Sequence, residues 1–443
     1  MCRVIVNTIE KYCEEVIYKK LREMNLIKIN KHSKVVLKPN WIKESHQNRP
    51  TEWDYVITHP TVISAVLRIV LEELAGTGKV IIADAPQTDA SFTKIMKKMN
   101  CERWFNLSKQ FGTPIEIIDL RDEEWKTKDG IVISRRKLKG DPCGSVEFNL
   151  YGDMSEFYGH KKSKKGYYGA DYDTRETNRA HDGLNNLYRV SKSVMEADVF
   201  INLPKLKTHK KSGITCCLKN LVGINTYKNF LPHYNQGSPK EKGDQYPEFK
   251  TKNKVEEELL YLLKNYFIKN TNVAYLLKPF KKIFEICFGS TEKVVRSGNW
   301  YGNDTVWRMI LDLNKILLYG NPDGTIKEDN FSYRRRYICI VDGILAGEGN
   351  GPLAPDRVNL GYIIAGTNPV AVDTVCAKIM GFDYQKIPSI NNAYKIKKYK
   401  LVNFTPDEIK VVFEGQVFDF DRVPEKYIHR FKPHFGWEGF IEL

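Results

Sequence analysis

The chain has 443 residues, of which 42% are hydrophobic and 28% charged, an ordinary composition for a soluble globular protein. Lysine and arginine number 69 and the acids 54, which gives a net charge of +15 and favours anionic partners. The basic residues occur in short, scattered clusters, so we expect solvated surface rather than a nucleic-acid-binding stripe.

The sequence also argues against a secreted or membrane-spanning protein. It begins without a signal peptide, and no apolar run approaches the ~18 residues of a transmembrane helix. The most apolar candidate, residues 273–288, is interrupted by lysines and predicts an amphipathic helix, packed on the domain or lying on a lid or membrane surface. The nine cysteines lack any Cys-x-x-Cys spacing, which argues against disulfides, a zinc ribbon and an iron–sulfur motif. We therefore predict a cytoplasmic protein. Cys216 and Cys217 have no third cysteine nearby, so we predict that they are small core residues, with metal ligation as the alternative.

The first part of the chain alternates between strands and helices. Strands are predicted at 34–40, 78–84 and 114–119, and helices at 60–74 and 91–99. This alternation predicts an α/β fold with a doubly wound, mostly parallel sheet.

Two insertions are expected to interrupt the sheet and form a lid. Residues 130–185 predict a hairpin and a long loop, whereas residues 226–330 predict a second, basic and helical insertion with a clear helix at 304–319. Between the insertions, a buried strand at 199–201 leads directly into Asn202-Leu203-Pro204-Lys205-Leu206-Lys207-Thr208-His209.

The last part returns to strands and helices. Strands are predicted at 337–343 and 361–366, a helix at 368–381 and a hairpin at 408–420. The chain is thus divided into core residues 1–225, a helical insertion at 226–330 and core residues 331–443.

Several predicted strands end in polar side chains, namely Lys38, Asn40, Asp84, Asp119, Lys205 to His209 and Asp342. In an open α/β sheet, the carboxyl ends of the strands bind the ligand, so we predict one shared active site there. His209 is the candidate general acid or base, with a turn-capping histidine as the alternative. Lys219 is a nucleophile or an anion ligand, unless it extends to solvent.

Acidic residues offer a second kind of chemistry. Asp342 and Glu348 lie in what is predicted to be a glycine-rich turn at 342–352, and Asp373 lies one turn into a helix. Acids in such a loop could bind a divalent cation or sugar hydroxyls, and the loop itself could instead bind phosphate. Asp373 could bind the same ligands or simply stabilise the start of its helix. Arg308 shares a helix face with Asp304 and Asp312, either as a binding surface or as a ladder of ion pairs.

The motifs together resemble the family called domain of unknown function 362 (DUF362). The matching segments are Lys38-Pro39-Asn40, Thr58-His59-Pro60, Asp84-Ala85-Pro86, Asn202 to His209, Lys219-Asn220-Leu221-Val222-Gly223, Asp342-Gly343-Ile344, Gly349-x-Gly351-Pro352 and Asn368-Pro369-Val370-Ala371-Val372-Asp373. Leu231-Pro232-His233-Tyr234 and residues 303–308 resemble a subgroup found among bacterial surface-polysaccharide genes. Many relatives append a ferredoxin-like segment, which implies an iron–sulfur partner.

A more distant similarity links His209, Gly213, Lys219 and Gly223 to the nickel-pincer lactate racemases. It implies that His209 transfers a proton and that Lys219 anchors a cofactor or substrate. No counterpart of that family's second catalytic histidine occurs near Asp84, so we expect no nickel cofactor.

These observations predict an enzyme that acts on a small anionic or sugar-derived metabolite, by isomerisation or another proton or hydride transfer. The candidate catalytic residues are His209, Lys219 and Asp84. The candidate substrate-binding residues are Lys38, Asn40, His59, Lys205, Lys207, Asn220, His233 and Arg308, and the candidate metal ligands are Asp342, Glu348 and Asp373. The alternatives are a redox accessory protein with an iron–sulfur partner and a non-catalytic polyanion-binding protein.

Overall fold

The structure, a computed structural model, describes residues 2–128, 131–171, 173–248, 294–329 and 331–443. The helix predicted at 273–288 and most of the second insertion lie outside the described residues. Among the residues described, no helix has the length and apolar character needed to cross a bilayer.

The described chain contains both strands and helices throughout. The strands are β1 (Cys2–Thr8), β2 (Lys34–Pro39), β3 (Lys79–Asp84), β4 (Ile115–Asp119), β5 (Glu123–Lys128), β6 (Ile131–Lys137), β7 (Ser145–Asn149), β8 (Tyr167–Gly169), β9 (Leu187–Ser191), β10 (Val199–Leu203), β11 (Lys205–His209), β12 (Gly213–Thr215), β13 (Pro232–Asn235), β14 (Arg336–Asn350), β15 (Ala354–Gly366), β16 (Ile409–Phe413) and β17 (Gln416–Asp419). The helices are α1 (Glu14–Met24), α2 (Pro60–Leu74), α3 (Phe92–Met99), α4 (Cys101–Phe111), α5 (Thr174–Ala180), α6 (Lys192–Met195), α7 (Cys217–Asn220), α8 (Val306–Tyr319), α9 (Pro369–Ile379) and α10 (Pro388–Ala393).

An eleven-stranded sheet forms the centre of the fold. Its order is β17-β16-β1-β15-β14-β10-β2-β3-β4, and β11 extends the sheet by pairing with β14 and β12. The strands in the run β14-β10-β2-β3-β4 are parallel. Strand β15 is antiparallel to both of its neighbours, β1 and β14, and β17 is antiparallel to β16. The predicted fold class, a doubly wound and mostly parallel α/β sheet, is confirmed.

The sheet separates two apolar cores. Because side chains alternate along a strand, Val36 and Ile81 enter one core while Val35 and Val80 enter the other. Helices α1 to α4 cover the second core, and α8 and α9 cover the first. The central strands β2, β3 and β10 are buried on both faces, which explains their continuous apolar sequences.

The order of the strands creates a crevice at one edge of the sheet. From β2 the chain moves outward to β3 and β4, and it later returns to β10 on the opposite side of β2. The strand order therefore reverses between β2 and β10. At such a switch point the loops diverge and leave room for a ligand at the carboxyl ends of the strands.

The glycine-rich turn predicted at 342–352 is wrong. Strand β14 continues to Asn350 and pairs with β15 in a long hairpin, with a register shift between Gly343 and Leu345. The turn of this hairpin spans only residues 351–353, and Gly347 within the strand serves close packing, since a Cβ there would lie 2.8 Å from the Pro355 side chain.

The first insertion contains more regular structure than a hairpin and a loop. Strand β7 pairs with β9, and β8 pairs with β13 of the second insertion. The β8–β13 pair joins the two insertions, so that both contribute to the wall of the crevice.

Candidate functional site

A cavity of about 430 Å³ lies at the switch point of the sheet. Asn40 and Asp84 reach it from the ends of β2 and β3, His209 from the end of β11, and Lys219 and Asn220 from α7. Its outer wall comes from the two insertions and from the tip of the β14–β15 hairpin. The wall residues include Tyr168, Asp171, Lys228, His233, Tyr234, Arg296, Pro352 and Leu353.

A buried ion pair supports the floor of the cavity. Lys38 Nζ lies 2.8 Å from Asp84 Oδ1, and the backbone N–H of Trp41 donates to Asp84 Oδ2 over 2.6 Å. A Cβ on Gly223 would lie 2.0 Å from Asp84 Oδ1, so only glycine permits this approach of the backbone. Lys38 is fully buried and does not line the cavity, while both oxygens of Asp84 are engaged. The pair is better suited to holding the floor than to catalysis.

A chain of amide side chains connects the strands below the cavity. Lys207 Nζ donates to Asn40 Oδ1 over 3.0 Å, and Asn40 Nδ2 donates to Asn220 Oδ1 over 2.9 Å. Asn220 Nδ2 in turn donates to Asn202 Oδ1 over 2.7 Å. The lysine is buried beneath the cavity and, through these bonds, fixes the amide orientation of Asn40 and Asn220.

The proton position on His209 is determined by its own loop. The backbone N–H groups of Lys211 and Ser212 donate to His209 Nδ1 over 3.0 and 3.2 Å. Burial lowers the pKa of His209 well below its ordinary value, with Lys219 and Lys210 contributing. The neutral imidazole therefore carries its proton on Nε2 and is a hydrogen-bond donor.

His233 has the opposite tautomer. Its Nδ1 lies 2.9 Å from the carbonyl oxygen of Leu231, which can only accept a hydrogen bond, so Nδ1 carries the proton. Burial, followed by Lys211 and Lys219, lowers the pKa of His233 well below its ordinary value. Nε2 of His233 is therefore the unprotonated nitrogen, and it is suited to accept a proton or to bind a metal ion.

Lysines give the cavity its positive charge. Burial lowers the pKa of Lys219 to about 7, with repulsion from Lys228 and Lys38 as further causes. Burial likewise lowers the pKa of Lys228 to about 8, and this side chain donates to the carbonyl oxygen of Ala85 over 2.8 Å. Within the described residues, Lys219 has no hydrogen-bond or ion-pair partner. An anionic ligand would supply the missing partner.

One carboxyl group in the wall has the properties of a weak acid. Burial raises the pKa of Asp171 to about 6, although Thr88 Oγ1 donates to it over 2.7 Å. Thr215 adds a buried hydroxyl that has no hydrogen-bond partner in the part of the chain that the structure describes. The cavity thus combines cations, an acid, a donor histidine and an acceptor histidine.

A family model for a domain of unknown function, DUF362, matches residues 35–140 and 162–378. The chain belongs to the DUF362 family.

The curated relative with which the chain was compared is distant in sequence. A thylakoid-associated protein of Synechocystis is 24% identical to this DUF362 chain over 209 residues, which are 47% of the chain and 40% of that protein. The chain therefore spans less than half the length of this curated relative.

Two solved structures are similar to the DUF362 chain, each 11% identical in sequence. A Thermotoga maritima protein matches 80% of the chain and 55% of its own length with a TM-score of 0.34. The lactate racemase apoprotein of Thermoanaerobacterium thermosaccharolyticum matches 85% of the chain and 57% of its own length, with a TM-score of 0.29. Neither likeness carries an argument about chemistry.

Other residues predicted for the site of this DUF362 protein lie elsewhere. Lys205 Nζ pairs with Asp342 Oδ2 over 2.5 Å, and Tyr12 bridges the two, since its hydroxyl accepts from Lys205 and donates to Asp342. His59 caps α2 by accepting from the N–H of Thr61, and its ring stacks on Tyr12 with centroids 3.7 Å apart. These residues do not line the cavity, so their predicted roles in substrate and metal binding are not supported.

The remaining predicted ligands are also separated from the cavity and from one another. Arg308 pairs with Asp304 over 2.9 Å at the start of α8, as the ion-pair alternative predicts, but Asp312 is buried and accepts from Ser155 and Tyr188 instead. Glu348 accepts from the backbone N–H of Lys432, while Asp373 accepts from the N–H groups of Cys217 and Leu218. Asp342, Glu348 and Asp373 therefore do not form one metal site, because each is bonded to a different part of the fold.

Several residues of the cavity were not predicted from the sequence. Lys228, Asp171, Thr215 and Arg296 lie in segments without a clear secondary-structure pattern, and strand pairing between the insertions brings two of these segments together. The Asn225-Thr226-Tyr227-Lys228-Asn229 segment, a lysine among aromatic and amide residues, was the one local signal.

Proposed function

We propose that the cavity binds a small anionic metabolite and transfers a proton to and from it, as an isomerase or epimerase does. The observation that carries this proposal is the pair of opposite tautomers in one cavity. His233 Nε2 would take a proton from carbon, while the Nε2–H of His209 would donate to the oxygen on which negative charge develops.

The electrostatics of the cavity support this division of roles. Removal of a proton from carbon next to a carbonyl group places negative charge on oxygen, and preorganised donors stabilise that charge. Lys219 and Lys228 are partly desolvated, so their interaction with an anion is stronger than it would be at an exposed surface. Asp171, with a pKa raised to about 6, is a candidate to return a proton to the opposite face of the same carbon.

The substrate class and setting are part of the proposal. A cavity of about 430 Å³ accommodates a sugar-sized metabolite with a carboxylate or phosphate group. The resemblance of residues 231–234 and 303–308 to a polysaccharide-associated subgroup favours a step in surface-polysaccharide biosynthesis. A cytoplasmic location agrees with the described cysteines, which are free thiols.

Exchange of substrate hydrogen with solvent tests the proposal. The wild-type protein in D2O, incubated with a panel of uronic acids and sugar phosphates, should incorporate deuterium at a carbon next to a carbonyl group of one substrate, as seen by mass spectrometry. His233→Gln should abolish the exchange but retain binding, whereas His209→Gln should slow it about 100-fold or more.

The control is His32→Asn at an exposed position outside the cavity, which should leave exchange unchanged. Binding of these anions without exchange in the wild-type protein would contradict the proposal and favour a non-catalytic binding protein.

A further inference from the structure

Four cysteines from three separate segments of the chain meet in the core beside α7. Cys216, Cys217, Cys339 and Cys376 are all buried. Cys216 Sγ lies 3.9 Å from Cys217 Sγ, and the thiols of Cys376 and Cys339 are neighbours of Cys216 and Cys217 respectively. Strand β14 supplies Cys339 and helix α9 supplies Cys376. Folding therefore provides the third and fourth thiols that the sequence spacing does not reveal.

A buried carboxylate lies in the same cluster. Asp373 is 2% exposed, and a carboxylate oxygen of Asp373 and the sulfur atoms of Cys216 and Cys217 all lie within 4.8 Å of one another. Backbone N–H groups of Cys217 and Leu218 donate to Asp373, but within the described residues no lysine, arginine or histidine pairs with it. Burying an ionised carboxylate without a cation is unfavourable, so a cation bound beside Asp373 would stabilise its ionised form.

We propose that Cys216, Cys217 and Asp373 bind one thiolate-preferring divalent metal ion of the Zn2+ type, with Cys339 or Cys376 as a fourth ligand. Tetrahedral zinc with Zn–S bonds of about 2.3 Å separates two sulfur ligands by about 3.8 Å. The observed separation of 3.9 Å between Cys216 and Cys217 matches this value. On binding, each ligating thiol releases its proton to solvent, and the positive charge of the ion compensates the negative charge of the Asp373 carboxylate.

The metal ion would have a structural role. Cys216 and Cys217 lie at the start of α7, and this short helix also places Lys219 and Asn220 in the cavity. Thr215, whose hydroxyl is buried in the cavity wall, directly precedes Cys216. An ion at this point would fix the position of α7, whether or not the proposed proton transfer takes place.

Metal binding by the full-length protein tests the proposal directly. Protein purified under reducing conditions should contain about one zinc ion per chain, as measured by inductively coupled plasma mass spectrometry. After removal of the zinc with a chelator, Co2+ should bind at about one equivalent and give the visible absorption of a tetrahedral site and a thiolate-to-cobalt charge-transfer band.

Variants then locate the site. Cys216→Ser, Cys217→Ser and Asp373→Asn should each weaken cobalt binding at least about tenfold, because ligands are removed. Cys143→Ser, at an exposed cysteine, should have no effect.

Three outcomes would overturn the proposal: a wild-type protein that binds neither Zn2+ nor Co2+, cobalt binding unaffected in all three variants, or iron with inorganic sulfide at the site. Should a variant not fold, the sulfur charge-transfer band of the wild-type protein decides the question.

Discussion

At the scale of single residues, Lys219 links burial to the charge of the cavity. Its pKa is lowered to about 7, chiefly by burial, so near neutral pH the charged and neutral forms are both populated. Only the charged form attracts an anion, and a bound anion raises the lysine pKa in return. The affinity of the cavity for anions should therefore depend on pH.

We expect sulfate, a probe anion whose charge is constant in this range, to bind more weakly as the pH rises from about 6 to about 9, by up to about tenfold per pH unit above the lysine pKa. Lys219→Met should bind sulfate more weakly at low pH and show a smaller pH dependence. Isothermal titration calorimetry at each pH measures both, with the exposed-site variant Lys97→Met as the control. An unchanged pH profile in Lys219→Met would argue against this role.

Lys205 and Asp342 form a fully buried ion pair whose two members depend on each other. Lys205→Met or Asp342→Asn alone should lower the free energy of unfolding by about 3–5 kcal/mol, because one charge remains buried without its partner. The double variant should recover much of this loss. Urea unfolding measures all three.

The exposed pair Lys398–Asp153 provides the comparison, since Lys398→Ala should cost less than about 1 kcal/mol. If the double variant lost as much free energy of unfolding as the two single variants together, the two charges would not depend on each other.

The sequence located the cations at the correct edge of the sheet but did not separate their roles. Lys205, Lys207 and His209 are spaced two apart on β11 and share a face. Which of them reaches the cavity depends on Asp342, Asn40 and other partners that are distant in the sequence. The same holds for the two histidine tautomers, which depend on loop backbone geometry.

At the scale of elements, the segment from α7 to Gly223 depends on close backbone approach. A Cβ on Gly223 would lie 2.0 Å from Asp84 Oδ1 and 2.6 Å from Lys38 Nζ. The segment can therefore lie against the Lys38–Asp84 pair only with glycine at this position.

Gly223→Ala should lower the free energy of unfolding by about 1–3 kcal/mol and weaken phosphate binding, because the added methyl group displaces the floor of the cavity. Chemical denaturation and calorimetry measure the two effects. In an Asp84→Ala background the same substitution should cost less, since the nearest atom is gone; an equal cost in both backgrounds would contradict the explanation.

Elements with local signals were predicted well. The helix predicted at 60–74 is α2, which begins after the His59 cap with Pro60 at its first position, and the Asn368 cap with Pro369 defines the start of α9 in the same way. The prediction of a glycine-rich turn at 342–352 was wrong because most of this segment belongs to β14. This strand pairs with β15, which follows it in the chain, and the local sequence does not reveal that pairing. Pairing between strands outweighed the local preference of glycine for turns.

At the scale of the whole molecule, the alternation of strands and helices was sufficient to predict the sheet and the edge that holds the cavity. It was not sufficient to predict that β10 lies between β14 and β2, because strand order depends on contacts across the entire chain. The insertions were located by their irregular patterns, but their contribution of Asp171 and Lys228 to the wall followed only from their pairing.

The stability of the whole protein should also depend on pH through the buried lysines. The pKa values of Lys219 and Lys228 in the folded protein, about 7 and about 8, lie below their ordinary value of 10.5. From about pH 7 to about pH 10 the unfolded chain therefore binds more protons, so these lysines make stability rise with pH.

Relative to a Lys219→Met/Lys228→Met variant, the wild-type protein should gain free energy of unfolding between about pH 7 and about pH 9. Urea unfolding of both proteins at several pH values provides the difference. A constant difference would mean that the lysines titrate at their ordinary pKa values.

Strand β1 is inserted between β15 and β16, with Val4 opposite Gly366 on one side and Val411 on the other. During synthesis on the ribosome, β1 emerges before both of its partners and has no place in the sheet until β15 has been made. The apolar edge of the nascent chain therefore remains open to other strands. Translation that pauses before Phe413 would leave β1 without β16 on its second side, so that this part of the sheet is completed only in a late step.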